Sequence, residues 1–248
     1  MQDRYAGDIG DFGKIALLQA LQSQGLVIGV NWYRVKPLPP EYNADGTFKQ
    51  MDGKYREIPE GLQKGHEELA KKLSTIPEEK RSTDTLEALK LIPGAVYYNA
   101  FLTVVRREEW HQNALKQLEL AELVFMDPDN GLLVKSVGKK SVRSVKYTFY
   151  HEVKSFLDQG KSVLIYNHRC RKPEKKYFHD ICERLENCVD VPEKDVLKIT
   201  FRRFSIRDYL AIPANEDHRI KIQNAFLSQE QGAWKDENFC HVHRDTFR

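Results

Sequence analysis

The sequence has few cysteines and no long apolar run, and each scarcity excludes a class of protein. Its four cysteines form no Cys-x-x-Cys pair, which favours reduced thiols over a disulfide framework or a structural zinc module. No run approaches the roughly 18 apolar residues of a membrane-spanning helix, and the first residues do not form an apolar signal region. We therefore expect a cytoplasmic protein with no membrane segment and no structural metal.

An excess of charge of one sign is also missing. The chain has 39 Lys and Arg against 36 Asp and Glu, and its net charge of +3 is too small to identify a nucleic-acid-binding protein by itself. Its 248 residues, 41% of them hydrophobic, are sufficient for one large domain with a sizeable core. Because there is no internal repeat and no convincing domain boundary, we predict a single domain over residues 1–248.

Strand and helix patterns alternate along the chain. Runs rich in β-branched and aromatic residues predict strands at 26–35, 95–102, 122–132 and 161–172, of which the last two end in polar residues. This alternation is typical of an α/β, Rossmann-like three-layer sandwich with a mainly parallel sheet. The last two strands are predicted to form an antiparallel hairpin at about 198–213. A loop and helical insertion is predicted at about 36–83.

Polar residues follow two of the predicted strands at their carboxyl ends. Asp127, Asp129 and Asn130 come directly after a buried run, and His168 ends the next strand along the chain. In an open parallel sheet, ligands bind outside the carboxyl ends of the strands. A plain turn is the alternative, because Asp, Pro, Asn and Gly all favour turns. We interpret these four residues as candidate catalytic residues.

The segment YAGDIGDFGK brings glycines, aspartates and a lysine to the start of an amphipathic helix. Glycines let a ligand approach the backbone closely, and aspartates accept hydrogen bonds from a ligand or cap a helix. In the structural alternative, Asp11 is only the N-cap of a helix that ends near Gln24, and Lys14 pairs with it. We predict that Gly7, Asp8, Asp11 and Lys14 bind a cofactor or substrate. We also predict that Asp8, Asp11 and Lys14 share one pocket with the polar strand ends.

These residues also carry a resemblance to a known family. The segment is similar to the motif HAGNxADxxKH of bacterial ribosomal-RNA adenine N6-methyltransferases, with Asp8 where the family has Asn. MDPDNGL stands where that family has its catalytic Asp-Pro-Pro-Tyr motif. The resemblance implies a class I fold, S-adenosylmethionine as cofactor and methylation of a nucleic-acid base or nucleotide, with Asp127 holding the target amine. The whole chain also resembles an uncharacterised bacterial family with DRYxGDxGDFGK and DPDNGL motifs.

Departures from the methyltransferase pattern leave other functions open. No Gly-rich turn follows the first strand, after which the next glycine is Gly46, and Asp129 and Asn130 replace the Pro-Tyr end of the motif. One alternative is a magnesium-dependent phosphodiester-cleaving nuclease that uses Asp127 and Asp129, because Mg²⁺ prefers carboxylate oxygens. Another is a non-catalytic nucleic-acid- or partner-binding protein on a degenerate methyltransferase scaffold.

Basic residues indicate a phosphate-bearing partner. They are concentrated in HRCRKPEKK and in FRRFSIRDY, and the second segment also interleaves aromatic residues. Guanidinium and aromatic groups together suit single-stranded nucleic acid. A solvated basic face, with the aromatic residues in the core, is the alternative. We predict RNA or DNA as the partner, bound by Arg169, Arg171, Arg202 and Arg203.

Overall fold

A computed structural model describes residues 1–36 and 57–247, which form an α/β structure. The strands are β1 (Ile28–Asn31), β2 (Val96–Tyr98), β3 (Leu123–Met126), β4 (Gly131–Leu132), β5 (Tyr147–Thr148), β6 (Ser162–His168), β7 (Leu197–Arg203), β8 (Ser205–Ile212) and β9 (Cys240–His243). The α-helices are α1 (Ile9–Ser23), α2 (Glu60–Gln63), α3 (Glu67–Ser74), α4 (Thr83–Ala88), α5 (Arg107–Gln117), α6 (Tyr150–Asp158), α7 (Glu174–Val189), α8 (Glu216–Gln229) and α9 (Gly232–Asp236). The main sheet has the order β2-β1-β3-β6-β8-β7-β9, and β4 pairs with β5 separately.

The half of the main sheet formed by β2, β1, β3 and β6 is parallel. Every residue of β1 and β3 is buried, as expected for parallel strands that are covered on both faces. The strand predicted at 26–35 is longer than the one observed, since β1 covers only Ile28–Asn31. Two residues later, Tyr33 has a φ of 45°, which no strand residue adopts.

The other half of the sheet is antiparallel and contains the predicted hairpin. β7 and β8 pair from Leu197↔Ala211 to Arg203↔Ser205, which confirms a hairpin at about 198–213. Phe204 alone connects the two strands, with a φ of 59°. The prediction that these are the last two strands is wrong, because β9 adds an edge strand beside β7. The sheet is therefore mixed, with a parallel core, rather than mainly parallel throughout.

Helices cover both faces of the sheet and complete the predicted three layers. On one face, Phe12 of α1, Phe226 of α8 and Trp234 of α9 belong to one hydrophobic cluster. On the other, Trp110 of α5 and Phe156 of α6 belong to a second cluster, together with residues of α7. No helix in the described ranges combines the length and the apolar character that crossing a membrane requires.

Part of the predicted insertion at 36–83 packs as an integral part of the domain. Residues 37–56 of it lie outside the described residues. Beyond them, Leu62 of α2 and Leu69 and Leu73 of α3 are buried in the same hydrophobic cluster as α1. The indole N–H of Trp234 also donates to the carbonyl oxygen of Leu62 at 2.8 Å. α2 and α3 are thus part of the layer that α1 and α9 build.

Candidate functional site

The ammonium group of Lys14 is shared by two buried carboxylates. Its Nζ lies 2.8 Å from Oδ1 of Asp11 and 2.7 Å from Oδ2 of Asp127, which follows β3. All three side chains are at most 6% exposed. Burial disfavours the charged amine, but the two carboxylates outweigh burial and raise the pKa of Lys14 well above its ordinary value. Lys14 therefore stays charged and fixes the positions of Asp11 and Asp127.

The segment before Lys14 is mostly helix rather than turn. α1 begins at Ile9, and the Oδ1 of its N-cap, Asp8, accepts a hydrogen bond from the N–H of Asp11 at 2.9 Å. The prediction of Asp11 as N-cap is wrong, because its Oδ2 instead accepts from the N–H of Gly7 at 2.9 Å. Burial and the neighbouring Asp11 raise the pKa of Asp8 to about 6. The start of α1 thus holds two carboxyl groups in different environments.

The Asp-Pro-Asp-Asn-Gly segment after β3 passes beside the end of β6. The N–H of Asn130 donates to the carbonyl oxygen of Lys146 at 2.9 Å, and its own carbonyl oxygen accepts from the N–H of His168 at 3.2 Å. Gly131 has a φ of 107°, and a Cβ there would lie 1.9 Å from Oδ1 of Asn167. Only glycine allows this approach. The segment is therefore fixed by its neighbours on both sides.

Asp129 binds different partners from Asp127. Its Oδ2 accepts from Nε2 of Gln2 at 2.6 Å, and its Oδ1 lies 3.2 Å from the amino group of Met1. Burial would raise the pKa of Asp129, but the amino group of Met1 and the hydrogen bond from Gln2 outweigh burial and lower it. In residues 1–36 and 57–247, no group of three or more His, Cys, Asp or Glu side chains is arranged to hold a metal ion.

These segments surround one cavity of about 500 Å³ at the carboxyl edge of the parallel strands. The chain crosses from β2 on one side of β1 to β3 on the other, and open sheets bind ligands at such a switch point. The cavity is lined by these residues singled out from the sequence: Asp8, Asp11, Lys14, Asp127, Asp129, Asn130 and His168. The predicted convergence on one pocket is confirmed, while the catalytic and binding roles stay predictions.

Other lining residues were not among the predicted site residues. The pairing register of β6 and β8 could have identified Arg207, because it places Arg207 opposite the predicted site residue His168. Lys146 directly precedes β5, and the two-residue pair of β4 and β5 leaves no pattern in the sequence. Gly7, in contrast, was predicted but does not line the cavity. The lining residues outside the prediction are Met1, Gln2, Tyr5, Gly10, Pro128, Lys146, Tyr166, Phe204, Ser205 and Arg207.

Arg169, which was predicted to bind nucleic acid, is buried in an ion-pair network. Its side chain is 6% exposed, and its Nε donates to Oδ2 of Asp208 at 2.9 Å. It also pairs with Glu174 and donates to Oγ1 of Thr200 at 3.0 Å. Because these partners occupy its guanidinium group, we assign Arg169 a structural role in place of the predicted phosphate contact.

The other three predicted arginines are closer to solvent. Arg202 pairs with Glu174 at 3.0 Å, and Arg171 is exposed. The guanidinium carbon of Arg203 lies 6.0 Å from the ring centre of Phe204. Among the described residues that line the cavity, none belongs to this predicted set of arginines.

No family model matches the sequence, and no curated protein is significantly similar to it. The chemistry of the cavity is therefore inferred from its geometry.

Proposed function

We propose that the protein binds a nucleotide or a nucleic-acid base in the cavity at the carboxyl edge of its sheet. The observation that carries this proposal is the mixture of groups in the wall, where carboxylates, an amide, cations and aromatic rings meet in about 500 Å³. Small-molecule sites typically have volumes of about 300–1,000 Å³. A nucleotide has a flat base, a hydrogen-bonding edge and a phosphate, and the wall contains a group that suits each of them.

The polar groups of the wall suit the edge of a base. The amide of Asn130 can donate and accept at once, as an adenine edge requires, and a carboxylate accepts from an exocyclic amine. Lys14 holds the carboxylate of Asp127 in one direction before any ligand arrives. Such fixed hydrogen-bonding groups lose little entropy when they bind. This arrangement supports recognition of an amine-bearing base.

Two aromatic residues of the wall supply a surface for stacking. The ring of Tyr166 packs edge-to-face on Tyr209, with 5.8 Å between ring centres, which holds it in place. Phe204, at the tip of the β7–β8 hairpin, is 57% exposed. Bases bound outside a duplex commonly stack on such rings. The aromatic rings therefore favour a base over a simple anion as the ligand.

The crevice between β1 and β3 does not fit S-adenosylmethionine, although the resemblance implies this cofactor. The amino group of Met1 donates to the carbonyl oxygens of Tyr33, at 2.8 Å, and of Asp127, at 3.1 Å. The carbonyl oxygen of Met1 accepts a hydrogen bond from the N–H of Val35 at 3.0 Å. Met1 therefore fills the space that a Gly-rich turn would leave for the methionine part of the cofactor. The proposal is thus one of base binding, with no step through this cofactor.

Methylation of the bound base is the second candidate. It is favoured by the position of the Asp-Pro-Asp-Asn segment, because Asp127 and Asn130 follow β3 and line the cavity. The resemblance implies that the catalytic motif stands at this point of the chain. In this reading, Asp127 accepts a hydrogen bond from the target amine and orients it for reaction. This reading requires Met1 to leave the crevice.

The magnesium-dependent nuclease is not favoured by a comparable observation. The ammonium of Lys14 already lies between Asp11 and Asp127, where it supplies the positive charge that these carboxylates need. Asp129 is bound by Gln2 instead. The two aspartates of the Asp-x-Asp pattern therefore have separate partners.

Calorimetric titration with adenosine, guanosine, cytidine and uridine tests the proposal. We expect one of them to bind clearly more tightly than the rest, and Asn130→Ala to weaken that binding by about tenfold, because a buried hydrogen bond is lost. Asn113→Ala, which replaces an exposed asparagine of α5 outside the cavity, is the matched control. If none of the four binds, and a mixed-sequence single-stranded RNA does not bind either, base recognition is contradicted.

The same titration with S-adenosylmethionine separates the two candidates. No binding is expected while Met1 fills the crevice. Binding, together with transfer of a labelled methyl group to RNA or DNA, would establish methylation. It would contradict the conclusion that the crevice does not fit this cofactor. A nucleoside that binds without any methyl transfer supports base binding alone.

A further inference from the structure

We propose that Arg207 and Lys146 form a phosphate subsite at this cavity, so that its ligand is a phosphate-bearing nucleotide and not a free base. The inference rests on the proposed function, because it names the class of ligand for the same cavity. The phosphate belongs either to a free nucleotide or to a nucleic-acid strand, since the recognising groups are the same for both.

The cations of the cavity differ in how they are paired. Lys14 is buried and bound by two carboxylates. Arg207 and Lys146 are half-buried, and among the described residues neither makes a close ion pair, although Arg207 interacts electrostatically with Asp8 and Lys146 with Asp129. The Nη1 of Arg207 donates to the backbone carbonyl oxygen of Arg203 at 3.1 Å, a neutral partner. A guanidinium and an ammonium without a close carboxylate partner, beside a cavity, suit a phosphate.

The position of Arg207 is set by the sheet and by α1. β8 pairs with β6 so that Arg207 lies opposite His168 at the end of β6. Its Nε lies so near the first turn of α1 that a Cβ on Gly10 would approach it to 2.8 Å. The first turn of this 15-residue helix presents backbone N–H groups and a partial positive charge, which add to the attraction for an anion.

Lys146 approaches the cavity from a different element. Its carbonyl oxygen accepts from the N–H of Asn130, so its backbone is tied to the segment proposed to read the base edge. A ligand that reaches both Asn130 and Lys146 must carry a hydrogen-bonding edge and an anionic group. That combination describes a nucleotide.

The acidic groups of the cavity do not cancel this attraction. Asp11 and Asp127 share the charge of Lys14, and Asp129 pairs with the amino group of the chain. Asp8 interacts with Arg207, but burial and Asp11 raise the pKa of Asp8 to about 6, so its negative charge, and its competition for Arg207, decrease as the pH falls below that value. Arg207 and Lys146, which make no close ion pair among the described residues, are therefore the cations left to attract an anion.

Calorimetry on Arg207→Gln and Lys146→Gln tests the subsite. The probes are the four nucleosides and their 5′-monophosphates, and the control is Lys140→Gln, an exposed lysine outside the cavity. We expect the monophosphate of the preferred nucleoside to bind about tenfold more tightly than the nucleoside, because charged hydrogen bonds are strong. Each cavity variant should remove most of this gain and leave nucleoside binding unchanged. Equal affinity of the two ligand forms, or an equal loss in Lys140→Gln, overturns the subsite.

Gly10→Ala tests the position of Arg207 without removing its charge. The added methyl group would collide with Nε of Arg207 and, at 2.9 Å, with Oδ1 of Asp8, so monophosphate binding should fall as in Arg207→Gln. Gly138→Ala is the control, because a Cβ there meets no atom within 4 Å. Circular dichroism establishes that each variant is folded. Unchanged monophosphate binding in Gly10→Ala contradicts the placement of the phosphate beside α1.

Two further titrations distinguish the source of the phosphate and the cause of a failure. If a strand is the natural source, a single-stranded RNA should bind more tightly than any monophosphate and lose affinity in both variants, with a smaller salt dependence. If no nucleoside binds, inorganic phosphate still probes the subsite. Its binding to the wild type and loss in Arg207→Gln would support the subsite although base recognition had failed.

Discussion

The ammonium nitrogen of Lys14 lies 2.7 Å from Oδ2 of Asp127, although the two residues are 113 positions apart in the chain. The contact joins the first turns of α1 to the carboxyl end of β3. Because both side chains are buried, neither can exchange its partner for water. The wall of the cavity and the stability of the fold therefore depend on the same ion pair.

Replacing Lys14 by methionine should destabilise the protein by roughly 3–5 kcal/mol, because it leaves two buried carboxylates without their cation. Urea unfolding near neutral pH measures the change. Lys72→Met is the matched control, since it removes an exposed pair with Glu68 and should cost less than about 1 kcal/mol. Similar losses of stability in the two variants would mean that the buried ion pair contributes no more to stability than the exposed one.

Replacing Asp8 by asparagine should stabilise the protein above about pH 6. The pKa of Asp8 is about 6 in the folded protein against an ordinary value of 3.8, so its stabilising contribution is complete below about pH 4 and is lost as the pH rises through 6. Asparagine mimics the neutral carboxyl and is an equally good N-cap. We expect a gain of roughly 1 kcal/mol near pH 7.5, discounted for partial exposure, that disappears near pH 4. Thermal unfolding across this range measures it, and a gain independent of pH contradicts the raised pKa.

The parallel core and the residues at its carboxyl edge could be predicted from the sequence. Asp127, Asn130 and His168 follow strongly apolar runs, and a parallel sheet brings the ends of such runs to the same edge. The start of α1 could not be predicted in the same way, because Asp8 and Asp11 are both good N-cap residues. The contacts of Asp11 decide between them, because its carboxylate binds the N–H of Gly7 and the ammonium of Lys14, which Asp127 holds from the other side.

The strands missed by sequence reasoning are short. β4 and β5 have two residues each, too few to display a period, yet their pairing lies next to Lys146 at the cavity. β9 has four residues with alternating burial and pairs with β7, from which β8, α8 and α9 separate it in the chain. The partners of Asp129 are Met1 and Gln2, and no local sequence pattern predicts such a distant contact.

Replacing Gly131 by alanine should disturb the segment between β3 and β4. The φ of 107° is unfavourable for any side chain, and the new Cβ would lie 1.9 Å from Oδ1 of Asn167. We expect a loss of at least about 1–3 kcal/mol in urea unfolding and weaker nucleoside binding, because Asn130 precedes the distorted residue. Gly138→Ala, made in open space, should change neither quantity. Wild-type stability in Gly131→Ala would contradict the described backbone.

Arg169 and Arg171 should respond differently to substitution, although the sequence suggests the same role for both. Arg169→Met leaves the carboxylate of Asp208, which is completely buried, without its cation. We expect a loss of roughly 3 kcal/mol in urea unfolding. Arg171→Gln removes an exposed charge and should change stability by less than about 0.5 kcal/mol. In a folded Arg169→Met protein, measured at a temperature well below its unfolding transition, RNA affinity should remain close to that of the wild type. If Arg169→Met is as stable as the wild type and loses RNA affinity, Arg169 contacts phosphate after all, and the network with Asp208 is not what holds it.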